Sequence, residues 1–316
     1  MTALARLVAA PWLGAYAAAL AVWAAIAVVS GLGAGGQVAQ AAFTFATFFV
    51  IVAIGQMFVV TLGPGNVDLS IPATLTLAGT VATKLMAEAD VMILPGLLAA
   101  IAVGLVVGVF NYGLIWLLRI PPIIATLSSS FVIQSTAIWW NRGLRIKPPQ
   151  ALADFTTGMT LGLPNLAWVV ILLAMAMHVV LTRTLFGRQV TAIGQNARAA
   201  WLAGIRVERI RFATYLLSAT LAGLCGFVLA AFSGGAALNM GQEYLLASIA
   251  VVVIGGTSVA GGYANVPGLW GAALFLFLVV TLLNTLGLGA GYRLLLTGLI
   301  IIAIVTLASG ARRPRS

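Results

Sequence analysis

No aspartate, glutamate, lysine or arginine occurs between Arg6 and Asp68. Similar charge-free intervals run from Asp90 to Arg119, Asp154 to Arg183, Arg211 to Glu243 and Glu243 to Arg293. A water-exposed surface cannot be built from such intervals. Apolar residues make up 62% of the chain and charged residues 7%, against roughly 45–50% and ~25% in soluble domains. Mean hydropathy is +1.13. The chain therefore belongs in a membrane, where backbone polar groups must be satisfied internally by helices or closed barrels. Barrel strands alternate apolar and polar residues over ~10 positions, whereas these runs are continuous. The expected fold is all-α and polytopic.

A spanning helix takes ~20 residues. The sequence reads as about ten spans, near 12–30, 43–63, 72–88, 92–118, 121–141, 164–183, 212–233, 245–260, 267–288 and 291–309. They fill residues 1–316 as a single transmembrane domain and leave no room for a large soluble one. The first run exceeds the 7–15-residue core of a secretory signal and reads as a retained helix.

The net charge of +10 would suggest nucleic acid in a soluble protein. Here the basic residues separate apolar runs, so they report topology through the positive-inside rule, and membrane lipid is the expected neighbour, with no nucleic acid partner. With an even number of spans both termini share one side. Arg6, Arg119, Arg183, Arg188, Arg198, Arg206, Arg209, Arg211, Arg312, Arg313 and Arg315 then face the cytoplasm. Lys84, Arg142, Arg145, Lys147 and Arg293 face outward with Glu88, Asp90, Asp154 and Glu243. The 142–147 cluster is the one feature that opposes this arrangement.

Several chemistries lack their residues. Cys225 and His178 are single, so neither an internal disulfide nor a histidine-based metal cluster is expected. A phosphate-binding loop needs lysine after glycine, and neither Lys84 nor Lys147 has that setting. No cofactor is expected on this chain, and ATP hydrolysis, if used, belongs to another polypeptide. An ion-coupled carrier acting alone would want buried acids, and Asp68 is the only one well placed.

Gly63-Pro64-Gly65-Asn66-Val67-Asp68-Leu69-Ser70-Ile71-Pro72 interrupts an apolar run. It is either a broken helix lining a substrate path or a turn with a capping aspartate. Gly255 to Gly262, followed by Pro267, makes a second break of similar order, which suggests an internal repeat around a central site. Gln56, Asn66, Asp68, Ser70, Asn111 and Asn284 are candidate path residues because polar side chains in apolar spans need partners or water. For Asn111 and Asn284, interhelical hydrogen bonding is the competing role. Ala100, Gly104 and Gly108 mark a small-residue face for close helix packing. The loop 185–211 is basic and alanine-rich. It is suited either to lipid headgroups or to a short helix lodged in a partner's groove.

Four ordered stretches resemble the ribose-type ABC sugar-importer permeases. They are Gly55-Gln56 through Asp68-Leu69-Ser70; Arg119-Ile120-Pro121-Pro122-Ile123-Ile124-Ala125-Thr126-Leu127; Phe186 to Ile205; and Ala250 to Gly262. The resemblance implies the type II ABC importer fold in a bacterial inner (cytoplasmic) membrane. Its implied partners are an ABC ATPase subunit carrying ATP and Mg, a second permease chain forming a homodimer or heterodimer, and a periplasmic or lipid-anchored substrate-binding protein. The cargo would be a monosaccharide or similar small polar metabolite, moved by alternating access. A nucleoside or branched-chain amino acid is the alternative. Within 185–211 the resemblance marks Gly187, Arg188, Gly194, Asn196, Ala199, Ala200 and Gly204 for coupling to the ATPase. The sequence departs from the family pattern at Arg198, where glutamate is frequent, at Pro64, Asn66 and Pro72, and at Ala247, where aspartate is common. Such changes suit one half of a heteromeric pair.

Overall fold

Glycine and proline divide the apolar runs, and seven of the twelve described α-helices are followed within two residues by a glycine. The computed structural model describes residues 12–141 and 146–287, with scattered positions from 289 to 302. Helix α1 (Leu13–Ser30) and helix α2 (Leu32–Thr61) are separated by Gly31 alone. Its φ of +88° is a conformation that residues with a Cβ rarely adopt. Trp23 Nε1 closes the turn by donating to Gly35 O at 2.9 Å.

Then come α3 (Ile71–Met86), α4 (Ile93–Leu118) and α5 (Pro122–Trp140). A short helix α6 (Gln150–Thr157) precedes a two-stranded antiparallel hairpin of β1 (Met159–Thr160) and β2 (Leu163–Pro164). The chain continues through α7 (Asn165–Arg183), α8 (Leu185–Gln195), α9 (Ala197–Leu202), α10 (Val207–Phe232), α11 (Tyr244–Ile254) and α12 (Val266–Thr285).

Among the described residues, seven helices are long and apolar enough to span a membrane: α1, α2, α4, α5, α7, α10 and α12. Three expectations change. The second span begins at Leu32 rather than near 43, because Gly33, Gly35 and Gly36 continue the helix. The expected span at 72–88 is a 16-residue helix. The expected span at 245–260 is an 11-residue helix that stops at Ile254. It rises only ~16 Å at 1.5 Å per residue, about half of a ~30 Å hydrocarbon core. Of the expected last span, 291–309, only residues 291, 292, 295, 296, 298, 299 and 302 are described, and the rest lies outside the described residues. So do Arg6, Arg142, Arg145, Arg293, Arg312, Arg313 and Arg315.

Helix α10 is the axis of the bundle and packs on α2, α3 and α4. Small residues permit this approach. A Cβ on Gly104 would stand 2.6 Å from Ala219 O, and one on Gly226 would stand 2.1 Å from Leu75 O. The Ala100–Gly104–Gly108 face read from the sequence is the α4 side of that contact. In lipid no hydrophobic force joins apolar helices, so close van der Waals fit has to do it. Helices α2, α10 and α12 are mostly buried, whereas α1, α4, α5 and α7 leave most of their apolar surface outward.

The charges segregate. Arg119, at the end of α4, shares a cavity with Glu208 and Arg211 at the start of α10. At the other end, Lys84 Nζ donates to Trp140 O at 3.0 Å and lies over the Trp140 ring. There Asp90 accepts from Ala151 N at 3.1 Å.

Candidate functional site

The first helix break, residues 62–70, turns on Gly63 (φ +119°) and Gly65 (φ +81°). It delivers Asp68 into the bundle, 1% exposed. Asp68 Oδ1 accepts from Ser70 N at 3.0 Å and Ser70 Oγ at 2.6 Å, and Oδ2 accepts from Ser218 Oγ at 2.9 Å. Asp68 N donates to Gln56 Oε1 at 3.2 Å. Ser70 Oγ in turn accepts from Asn111 Nδ2 at 2.7 Å, and Ser129 Oγ donates to Asn111 Oδ1. Thr126 Oγ1 accepts from Leu69 N at 3.0 Å, and Tyr215 OH donates to Asn66 Oδ1 at 3.2 Å. One polar network thus ties α2, the break, α4, α5 and α10 together. Each member answers another, except that Gln56 Nε2 is buried without an acceptor among the described residues.

The second break, 255–265, is closed by Asn265, whose Nδ2 donates to Gly255 O at 2.7 Å. The two breaks touch. Gly262 N donates to Thr61 O at 2.9 Å, and a Cβ on Gly261 would stand 2.3 Å from Gly63 Cα. The end of α8 enters the same junction. A Cβ on Gly194 would be 1.8 Å from Thr61 O and 2.4 Å from Gly262 N. A displacement of α8 therefore acts on both breaks at once.

Helices α8 and α9 are locally well specified. Thr184 caps α8 by accepting from Gly187 N at 3.3 Å, and Asn196 caps α9 by accepting from Ala199 N at 3.0 Å. Gly187 is tight against Leu181 O, while Gly204 ends the loop with φ +84° and open space around it. Ala200 is buried, but Arg188, Arg198, Ala199, Trp201 and Leu202 are exposed. Trp201 is 65% and Leu202 71% exposed.

Between α10 and α11 the chain re-enters the bundle. Gln134 Nε2, midway along α5, donates to Leu238 O at 2.8 Å, and Gly241 packs against Pro72 O. Irregular backbone at this depth is tolerated where it is buried in protein or lines water. Asn239, Gln242 and Glu243 nevertheless point outward and are exposed.

A cavity of about 690 Å³ sits beside the first break, lined by Pro64, Asn66, Tyr112, Trp116, Arg119, Glu208, Arg211 and Tyr215, among others. Asn66 and Tyr215 connect it to the buried network. Tyr112 OH donates to Glu208, which also pairs with Arg211 at 3.2 Å.

Of the six candidate path residues, Gln56, Asn66, Asp68, Ser70 and Asn111 come together. Asn284 lies apart, exposed near the end of α12. Sequence reasoning passed over Thr126, Ser129, Tyr215 and Ser218, whose hydroxyls look ordinary in apolar helices. The small-residue run on α10 around Ser218 was the available signal.

A bundle with seven described helices long and apolar enough to cross a membrane, and with two touching helix breaks, defines a polytopic membrane protein. Residues 38–305 match the family described as branched-chain amino acid transport system / permease component, and the chain belongs to it. It is similar to the ribose import permease protein RbsC of Escherichia coli (strain K12), at 30% identity over 260 residues. That match covers 81% of this chain and 80% of the relative. It is also similar to the autoinducer 2 import system permease protein LsrC of Salmonella paratyphi B (strain ATCC BAA-1250 / SPB7), at 30% identity over 264 residues, covering 83% and 75%. No solved structure matches it significantly.

Proposed function

We propose that this chain is the transmembrane permease subunit of an ATP-driven importer in a bacterial inner membrane. The cargo is a monosaccharide or similar small polar metabolite, a class suggested by relatives that import ribose and autoinducer 2. The observation that carries the mechanism is the junction of Gly194 with Thr61 and Gly262. A partner ATPase holding ATP and Mg docks on the exposed face of α9, at Arg198, Ala199, Trp201 and Leu202. Its stroke reaches α8 and moves both helix breaks together, which exchanges one side's access for the other's. That basic end is cytoplasmic, as are both termini, and a substrate-binding protein meets the opposite end.

A second permease chain completes the path. Glu243 and Gln242 are exposed on a segment buried to mid-bundle depth, and a charge facing lipid there costs roughly 2.5–3.5 kcal/mol. A partner chain or a water-filled passage removes that cost. The Asp68 network holds the first break in register beside this passage.

The test is paired. A tagged chain from its native membrane should retain an ATP-hydrolysing subunit, and reconstituted complex should take up radiolabelled ribose or a related sugar only with ATP. Uptake by this chain alone, driven by a sodium or proton gradient, would overturn the reading.

A further inference from the structure

We propose that the cavity at the α4–α5 corner is a binding site for the headgroup of an anionic phospholipid in the leaflet at that end of the bundle. The importer reading is not needed for this inference. The cavity, about 690 Å³, lies where α4 ends, α5 begins and α10 begins, so it sits at the boundary of the membrane. One wall is apolar, with Ile115, Trp116, Leu117 and Ile120. Trp116 is 61% and Leu117 72% exposed, on a helix most of whose surface is unburied within the chain. Tryptophan favours this interfacial depth.

The other wall is cationic and under-used. Glu208, the one carboxylate among the described lining residues, is already engaged by Tyr112 and by Arg211 Nη1. Among the described residues that guanidinium hydrogen-bonds through Nη1 alone, and its Nε is buried, so Nη2 is the donor left for the cavity. Arg119, held at the α4 terminus with φ +54°, makes no hydrogen bond among the described residues. With Arg211 paired to Glu208, the charged lining residues Arg119, Glu208 and Arg211 carry a net +1. Arg119 thus supplies the free cation, and Arg211 a further donor, for the oxygens of a phosphodiester. The adjoining apolar wall suits the acyl chains that come with it. A small polar solute would use the first feature and leave the second unexplained.

Native mass spectrometry of the detergent-purified full chain, titrated with dioleoyl phosphatidylglycerol or dioleoyl phosphatidylcholine, tests this. Retention of phosphatidylglycerol over phosphatidylcholine is expected. Arg119→Gln should weaken it about five-fold, as expected for one basic residue near an anionic surface. Arg119 is exposed and unbonded, so this variant should fold as the parent does, with an unchanged melting temperature. Trp116→Ala should weaken both lipids. Equal binding of the two lipids by the parent, or undiminished phosphatidylglycerol binding by Arg119→Gln, would overturn the proposal. Displacement of the lipid by millimolar inorganic phosphate would overturn the lipid source and leave a simple phosphate site.

Discussion

Gly194, at the end of α8, lies so close to Thr61, at the end of α2, that a Cβ on the glycine would stand 1.8 Å from the threonine carbonyl oxygen. The obstacle is backbone, which cannot rotate away. Gly194→Ala must push α8 off the junction, and overpacking of this kind costs about 1–3 kcal/mol. The expected outcome is a lower melting temperature in detergent and loss of most uptake, with the ATPase still bound through α9. Gly204→Ala is the control. Its φ of +84° strains alanine by about 1–2 kcal/mol, yet nothing lies within 4 Å, so a loss of that size with the junction left intact is expected. Equal uptake by Gly194→Ala and the parent would remove the junction from the mechanism.

Asp68→Ala leaves three donors, Ser70 N, Ser70 Oγ and Ser218 Oγ, without their acceptor. Buried orphans cost about 1–3 kcal/mol each in soluble proteins, but interhelical bonds in membranes average nearer ~0.6 kcal/mol. A loss of roughly 2–4 kcal/mol in all is expected, with membrane insertion retained and uptake abolished. Ser218→Ala removes one bond and should cost only about 0.6 kcal/mol. Thermal unfolding and proteoliposome uptake check both. Full transport by Asp68→Ala would deny the network its part.

The two breaks were legible because glycine and proline are poor helix continuers, and Asp68 was legible because a lone acid in an apolar run needs a partner. The depth of residues 233–243 was not. Ser233-Gly234-Gly235 and Asn239 to Glu243 read locally as an ordinary external loop. Only contacts to Pro72 and Gln134 carry the segment into the bundle. The same tertiary fact ends α11 at Ile254, since a helix entered halfway down needs only half a span. Ser129 and Ser218 were hidden for a related reason: serine in a membrane helix can bond its own backbone, so its type alone does not announce a network.

Trp201 and Leu202 are 65% and 71% exposed at the end of a helix with six residues. Large apolar side chains in a basic loop that make few contacts within the chain are suited to a partner's groove. Trp201→Ala should leave the stability within about 0.5 kcal/mol of the parent, yet sharply reduce the ATPase retained on co-purification. Asn196→Ala acts differently, because it removes the α9 cap and costs about 1 kcal/mol locally. Retained ATPase in both variants would place the docking surface elsewhere.

Glu243 decides whether the exposed face of the re-entrant segment meets water or lipid. It sits beside Tyr244, which packs on Phe49 within the bundle, and is itself exposed. If a second chain and a water-filled passage lie there, Glu243→Cys should react with a membrane-impermeant maleimide in the assembled complex. Saturating transported sugar should slow that reaction. Cys225 is fully buried and should contribute no background. Glu243→Gln keeps the shape and removes the charge, so its stability should change by less than about 0.5 kcal/mol while uptake falls. A cysteine at 243 that reacts only with lipid-soluble reagents would put this face against acyl chains and remove it from the path.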